Sequence, residues 1–219
     1  MMAEKKRQKE AAEAAGTFDA ASRSEKDPEM TLATMVPGVS TYEDLDKQFA
    51  VREEALARGN FGVVFEGVRR PEGDAADASF ADTMAGPGAR SLERVAVKRM
   101  RKMTRANVAA IAREVDVMGR LRGHAGLVQL ISAFEDDTDV SLVLEFVPGG
   151  DLLKTIAASS APYTEADARN MAKQLLGALA HMHKCRVAHL DLKPENLMCA
   201  GKYDLTIKVT DFGVSKVRQ

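Results

Sequence analysis

His189-Leu190-Asp191-Leu192-Lys193-Pro194-Glu195-Asn196, followed fifteen positions after Asn196 by Asp211-Phe212-Gly213, is the stretch that decides how this chain is read. The Asp191 carboxylate is placed to accept a hydroxyl proton, and the Lys193 ammonium two residues on can neutralise a travelling anion. Asn196 and Asp211 contribute side-chain oxygens, the hard ligands that magnesium prefers. A lone Asp-x-Lys is usually a solvated charged loop, but the continuation to Asn196 and the downstream Asp-Phe-Gly give the run a specific chemistry.

Outward from this run, Lys98 ends the apolar strand Val95-Ala96-Val97-Lys98. A lysine there usually snorkels to solvent. Glu114 alters that reading. On a helix expected over Thr104–Leu121 the apolar stripe is Val108, Ile111, Val115 and Met118, and Glu114 falls inside it. A carboxylate within a packing stripe is strongly unfavourable without a cation, and Lys98 on the facing strand is the natural partner. Upstream, Leu56-Ala57-Arg58-Gly59-Asn60-Phe61-Gly62-Val63-Val64 reads as a hairpin turning near Asn60-Phe61. Its glycines would let backbone N–H groups approach phosphates, although the loop alone reads equally as an ordinary strand turn.

Together these strings resemble the eukaryotic protein kinases: the catalytic loop at His189–Asn196, the magnesium loop at Asp211–Gly213, the strand-lysine to helix-glutamate pair at Lys98 and Glu114, and the glycine-rich loop. In that loop Gly59, Gly62 and Val64 match while Ala57 replaces the first glycine. The resemblance implies ATP and Mg2+ as cofactors, with Asp191 as base, Lys193 and Lys98 on phosphates, Glu114 orienting Lys98, and Asn196 and Asp211 as metal ligands. It also makes Leu142–Asp151 the hinge. Glu145 and Val147 would offer backbone groups to adenine, and Asp151 would reach the ribose or cap the following helix. Leu56, Val64, Ala96, Leu144 and Met198 would sandwich the base. His189 resembles the structural histidine that joins Phe212, Met118 and Leu130 in a spine.

Lys193-Pro194-Glu195 is similar to the serine/threonine type, so the implied substrate is a protein Ser or Thr hydroxyl. Leu190 stands where most kinases have an arginine that binds an activation-loop phosphate. That departure is similar to the myosin light chain, titin-like and death-associated kinases of the calmodulin-dependent group and implies no need for such a phosphate. A regulatory protein is a further expected partner. The implied fold is α+β and bilobal: a five-stranded antiparallel small lobe with one helix, then the first part of a mainly helical large lobe.

Thirty-one basic and 32 acidic residues leave a net charge of −1, so no global field recruits nucleic acid or an anionic membrane. With 45% apolar residues the chain can build a core. Cys185 and Cys199 are too few for a disulfide framework and read as reduced thiols. No apolar run suggests a secretory signal or a membrane span, so the cytoplasm, or else the nucleus, is the expected location.

Residues 1–42 read as a disordered charged tail, 43–147 as the small lobe with a flexible insertion at 70–91, and 148–219 as an incomplete large lobe. Thr164-Glu165-Ala166-Asp167 opens a helix on which Met171, Leu175, Leu179 and Met182 share one face. Because the kinase resemblance ends near Val217, before the activation segment and substrate platform, that face is expected to be exposed and Mg-ATP binding weak. The alternative to an enzyme is a noncatalytic ATP-binding or scaffold module that docks a partner on that face.

Overall fold

A computed structural model of the chain describes residues 31–59, 62–71, 78–85, 92–159, 163–201 and 204–218. Its first half is a six-stranded sheet in the order β1-β5-β6-β4-β3-β2. The strands are β1 (Ser40–Thr41), β2 (Phe49–Gly59), β3 (Gly62–Arg69), β4 (Arg94–Arg101), β5 (Leu130–Glu135) and β6 (Asp139–Glu145). The expected five antiparallel strands are β2 to β6, and β1 adds a short parallel edge on β5 through Ser40↔Phe134 and Thr41↔Glu135.

Register assigns the side chains to two cores. Val64, Lys98 and Leu142 are cross-strand partners, as are Ala96 and Leu144, so all five point from one face of the sheet. On the other face Val95, Val97, Val143 and Phe134 pack with Leu45 and Phe49. Leu45 lies on α2 (Tyr42–Gln48), a helix absent from the sequence expectation. The first face is covered by α4 (Arg105–Arg120), whose Val108, Ile111, Val115 and Met118 are buried as the stripe required. Thr104 caps α4 by accepting the Asn107 N–H.

Two expectations about irregular segments change. Residues 31–42 do not behave as tail: α1 (Leu32–Met35) buries Leu32 completely, and β1 joins the sheet. Residues 1–30 lie outside the described residues. Within the segment expected as a flexible insertion, α3 (Phe80–Ala85) is helical and Arg70 ties it down, donating to Thr83 Oγ1 at 3.2 Å and the Ala78 carbonyl at 2.7 Å. Residues 72–77 and 86–91 of it lie outside the described residues.

After the sheet come α5 (Leu152–Ala157), α6 (Glu165–Lys184), β7 (Val187–Ala188), a 3-10 turn at Pro194–Asn196, β8 (Leu197–Gly201), β9 (Asp204–Val209) and β10 (Lys216–Val217). Thr164 and Asp167 form the expected reciprocal cap of α6. The face of α6 does not stand exposed. Met171 and Met182 are buried, Leu175 and Leu179 are partly buried against the main core, and Ala178 completes the contact. The β8–β9 hairpin supplies the cover that was expected to be missing. Gln174 locks it in place, donating to the Leu205 carbonyl at 2.9 Å and accepting the Ile207 N–H at 3.0 Å. Leu176, on another side of the helix, is the exposed apolar residue.

Candidate active site

Lys98 and Glu114 meet as the stripe argument required, with Nζ 2.7 Å from Glu114 Oε1. The same ammonium lies 3.2 Å from Asp211 Oδ1, so one cation joins strand, helix and the Asp-Phe-Gly segment. The pair is buried, Lys98 at 8% and Glu114 at 4% exposure. Burial alone would depress the lysine pKa. The Glu114 charge, then that of Asp211, outweighs it and raises the pKa above the ordinary lysine value, so Lys98 stays cationic. Asp211 reaches this position because β9 is stitched to the strand-like segment before β5: Val128 N–H donates to Val209 O, and Val209 N–H to Gly126 O, both at 2.9 Å. It then turns through a left-handed conformation, φ 62°, which aspartate tolerates better than bulkier residues.

The loop after β7 is held by its histidine. His189 Nε2 lies 3.0 Å from the Thr210 carbonyl, an acceptor, while Nδ1 accepts the Asp191 N–H at 3.3 Å. Those partners assign the proton to Nε2 and leave no nitrogen free to act as a base. The His189 ring sits 5.4 Å from that of Phe212, and Phe212, Met118 and Leu130 share one buried cluster, as the spine reading expected. Ser215 Oγ donates to the His189 carbonyl at 3.1 Å, a second tie between this loop and the segment after Asp211.

Asp191 is thereby presented with its carboxylate 2.7 Å from Lys193 Nζ. The hydrogen bond from Lys193 holds the carboxyl below the usual carboxylate range, with a smaller contribution from Asn196, and the same contact raises the Lys193 pKa. Asn196 is buried and gives its Nδ2 hydrogens to the Asp191 carbonyl at 2.8 Å and carboxylate at 3.1 Å. Its Oδ1 is therefore the atom left to face a cation. Oδ1 and the Asp211 carboxylate are the two side-chain oxygen donors that the sequence offers to a cation. Among the described residues no group of three His, Cys, Asp or Glu side chains forms a metal site by itself. That donor set fits magnesium, which is typically held by one or two carboxylates with phosphates and water completing the shell.

The remaining expected contacts divide. Val64, Ala96 and Leu144 share the sheet face that carries Lys98, and Met198 on β8 bridges to Asp151. Leu56 sits near the end of β2, half exposed. Val147 is buried. The Glu145 N–H is committed to the Gln129 carbonyl at 2.9 Å and so leaves the set of groups expected to face adenine. Asp151 caps α5, accepting the Lys154 N–H at 2.8 Å. Burial pushes its carboxyl upward, but the Lys154 contacts more than offset this and leave it below the ordinary value.

Gly62 has φ +141° and a Cβ there would sit 2.4 Å from the Arg99 carbonyl, so the fold itself requires glycine. Among the described residues nothing lies within 4 Å of a Cβ built on Gly59. Asn60 and Phe61, the tip of this hairpin, lie outside the described residues.

Sequence reading missed Thr210, whose carbonyl fixes the His189 tautomer, because a main-chain acceptor leaves no mark in a sequence. It also missed Lys208, which ion-pairs with Glu145 from the later part of the chain. A strand-edge lysine 63 residues away gives no local signal.

Comparison with known proteins agrees with this geometry. The protein kinase domain family matches residues 79–219, well over half of the chain. A probable myosin light chain kinase of Dictyostelium discoideum is 34% identical over 174 residues, covering 78% of this chain and 44% of that protein. The death-associated protein kinase dapk-1 of Caenorhabditis elegans is 37% identical over 164 residues, covering 75% of this chain and 10% of its own length. Among solved structures, a twitchin kinase fragment of C. elegans superposes with a TM-score of 0.63 at 29% identity, covering 78% of this chain and 33% of that one. The autoinhibited serine kinase domain of titin superposes with a TM-score of 0.64 at 21% identity, covering 80% of this chain and 48% of its own, a likeness of fold alone. The chain spans less than half the length of each of these relatives.

Proposed function

The chain belongs to the protein kinase domain family, and from that premise we propose that it transfers the γ-phosphoryl group of Mg-ATP to serine or threonine hydroxyls of proteins. The observation that carries this is the Lys98 ammonium held at 2.7 Å from Glu114 and 3.2 Å from Asp211, which puts a fixed positive charge beside the proposed metal ligand. When bound, Mg-ATP supplies the phosphoryl group and the divalent charge that neutralises it.

The chain's own residues do the rest. Asp191, kept ionised by Lys193, accepts the proton of the incoming hydroxyl and aligns its oxygen. Lys193 then offers its charge to the transferring group, and Lys98 orients the phosphates of the nucleotide. Asn196 Oδ1 and the Asp211 carboxylate hold the metal. Gly59 admits the phosphates to the backbone, and the Val64, Ala96, Leu144 and Met198 side chains receive the apolar faces of adenine. The Glu145 carbonyl and Val147 backbone address its polar edge. Asp151 reaches the ribose in addition to capping α5.

The similarity to myosin light chain and death-associated kinases supports the serine/threonine assignment. Leu190, 61% exposed with φ 68°, offers no cation to an activating phosphate, so activity is independent of one. A protein regulator and a cytoplasmic location belong to the same proposal. A noncatalytic scaffold is the weaker reading, since the α6 face proposed to dock its partner is covered by the chain itself. The test is labelled phosphate transfer from ATP to a generic basic protein. Transfer that disappears in Asp191→Ala supports the assignment, and transfer unaffected by that change overturns it.

A further inference from the structure

Leu32 has no exposed surface, although it sits on a single helical turn that no short-range signal predicts. A four-residue helix has no stability of its own in water, so α1 exists because it is docked. It packs on α4, and Leu32 belongs to the same buried cluster as Met100, Ile111 and Val115, with Val36 and Val39 partly buried beside it. Glu135 anchors the turn from β5. Its Oε1 accepts the Leu32 N–H at 2.7 Å, its Oε2 accepts the Ala33 N–H at 3.1 Å, and Lys102 ion-pairs with it at 2.9 Å. Both side chains of that ion pair are nearly buried, at 8% and 10% exposure. Ser40 and Thr41 then fasten the segment to the edge of β5.

The target of this docking is the helix that carries Glu114. Ile111 lies three residues before Glu114, one turn away on the same side of the helix, and Val115, four residues after Ile111, continues the buried stripe beside it. With Leu32 docked, Glu114 meets Lys98 at 2.7 Å. Without the segment, α4 would lose the apolar cover that α1 gives it and Glu135 would lose two backbone donors. We propose that residues 31–41 are a cis-acting latch that sets the position of α4, which makes Leu32 and Glu135 positioning residues for the Lys98–Glu114 pair. The latch matters for nucleotide binding only if the site is what we propose above. A nucleotide that binds only the latched form has its affinity reduced by the fraction of molecules unlatched.

The test uses the whole chain. By titration calorimetry with Mg-ATP, Leu32→Ala binds about ten-fold more weakly than wild type, while Leu32→Met, which preserves volume, binds like wild type. Reciprocity requires that saturating Mg-ATP slow hydrogen exchange at the Leu32, Ala33 and Val36 amides of the unaltered chain, and this measurement decides the matter where Leu32→Ala does not fold. Unchanged exchange there, or equal affinity in Leu32→Ala and wild type, overturns the latch. A wild-type chain that binds no Mg-ATP refutes the reading of the site instead. The latch then stands or falls on exchange in Leu32→Ala, which must quicken in α4 and not in α6. Equal quickening in both helices, or none in either, gives Leu32 a merely structural role and refutes the proposal.

Discussion

Replacing one partner of the Lys98–Glu114 pair at a time, and then both, separates what this contact does for the fold from what it does for ligand binding. Removing one member of a buried pair strands the other and costs about 3–5 kcal/mol. The two single changes are not equivalent. In Glu114→Leu the lysine keeps Asp211, 3.2 Å away and with its side chain 30% exposed, so the cost falls at the low end, about 3 kcal/mol. In Lys98→Met the carboxylate, 4% exposed, loses the cation it was buried with, and the cost moves to the high end, about 5 kcal/mol. With a urea m-value of about 2 kcal/mol/M these are midpoint shifts of about 1.5 M and 2.5 M.

The double variant Lys98→Met, Glu114→Leu restores an apolar contact of similar volume and returns to within about 1 kcal/mol of wild type, because desolvation largely cancels the attraction within a buried pair. It does so while losing Mg-ATP binding. The assay is urea unfolding of the four proteins at constant m, alongside nucleotide titration. Single variants that shift the midpoint by less than about 0.5 M would show the pair to be energetically no more than a surface contact and would refute the reasoning. The pH dependence has a definite sign. The folded-state pKa of Lys98 is raised above the ordinary 10.5, so its contribution is present in full below that pH and is lost as pH climbs through the raised value. The stability difference between wild type and the double variant, which leaves no stranded carboxylate at position 114, should therefore be flat between about pH 6 and 9.

The two loop glycines should respond oppositely. Gly62→Ala forces a Cβ to 2.4 Å from the Arg99 carbonyl at φ +141° and lowers stability by at least about 1–3 kcal/mol, read by thermal unfolding. Gly59→Ala, with no described neighbour within 4 Å of the added Cβ, leaves stability within about 0.5 kcal/mol but weakens Mg-ATP binding in a fluorescence titration. Asp191→Asn lowers phosphate transfer roughly 10²–10⁴-fold with an unchanged unfolding midpoint. Since the Lys193 hydrogen bond holds the Asp191 carboxyl below its ordinary 3.8, the wild-type pH–rate profile shows no loss of this base above about pH 4. Phosphatase treatment leaves the transfer rate unchanged, and a rate that collapsed on treatment would contradict the reading of Leu190.

Chemistry was more legible in the sequence than cover. Asp191, Lys193, Asn196 and Asp211 lie in two short strings, and Lys98 with Glu114 follows from period arithmetic on one strand and one helix. Each of those inferences needs only local spacing plus the penalty for burying a charge alone. What failed were statements about what lies over a surface. Residues 31–42 have the composition of a tail, and Leu32 is held by contacts distant in sequence, among them Glu135 on β5, 103 residues later, which accepts its backbone N–H. The Met171–Met182 face of α6 is expected to be bare from the sequence because the kinase resemblance ends near Val217. The β8–β9 hairpin covers it through Gln174, a polar residue that no hydrophobic period would single out.

These failures share one cause, and it bears on how the site is held. The contacts that position Asp211, His189 and α4 each have a main-chain group at one end at least, with the partner distant in sequence: Val209 to Gly126, the His189 ring to the Thr210 carbonyl, the Leu32 N–H to the Glu135 carboxylate. A main-chain donor or acceptor carries no residue identity, so substitution at the same position leaves the bond unchanged and the sequence silent about it. Side-chain chemistry at this site is thus written in identities, and its placement in topology. The Lys98 ammonium stands where the two meet. A change that alters its neighbours' identity should abolish ligand binding at once, whereas a change that loosens the strands and turns around it should first appear as faster hydrogen exchange in α4 and the Asp211 segment.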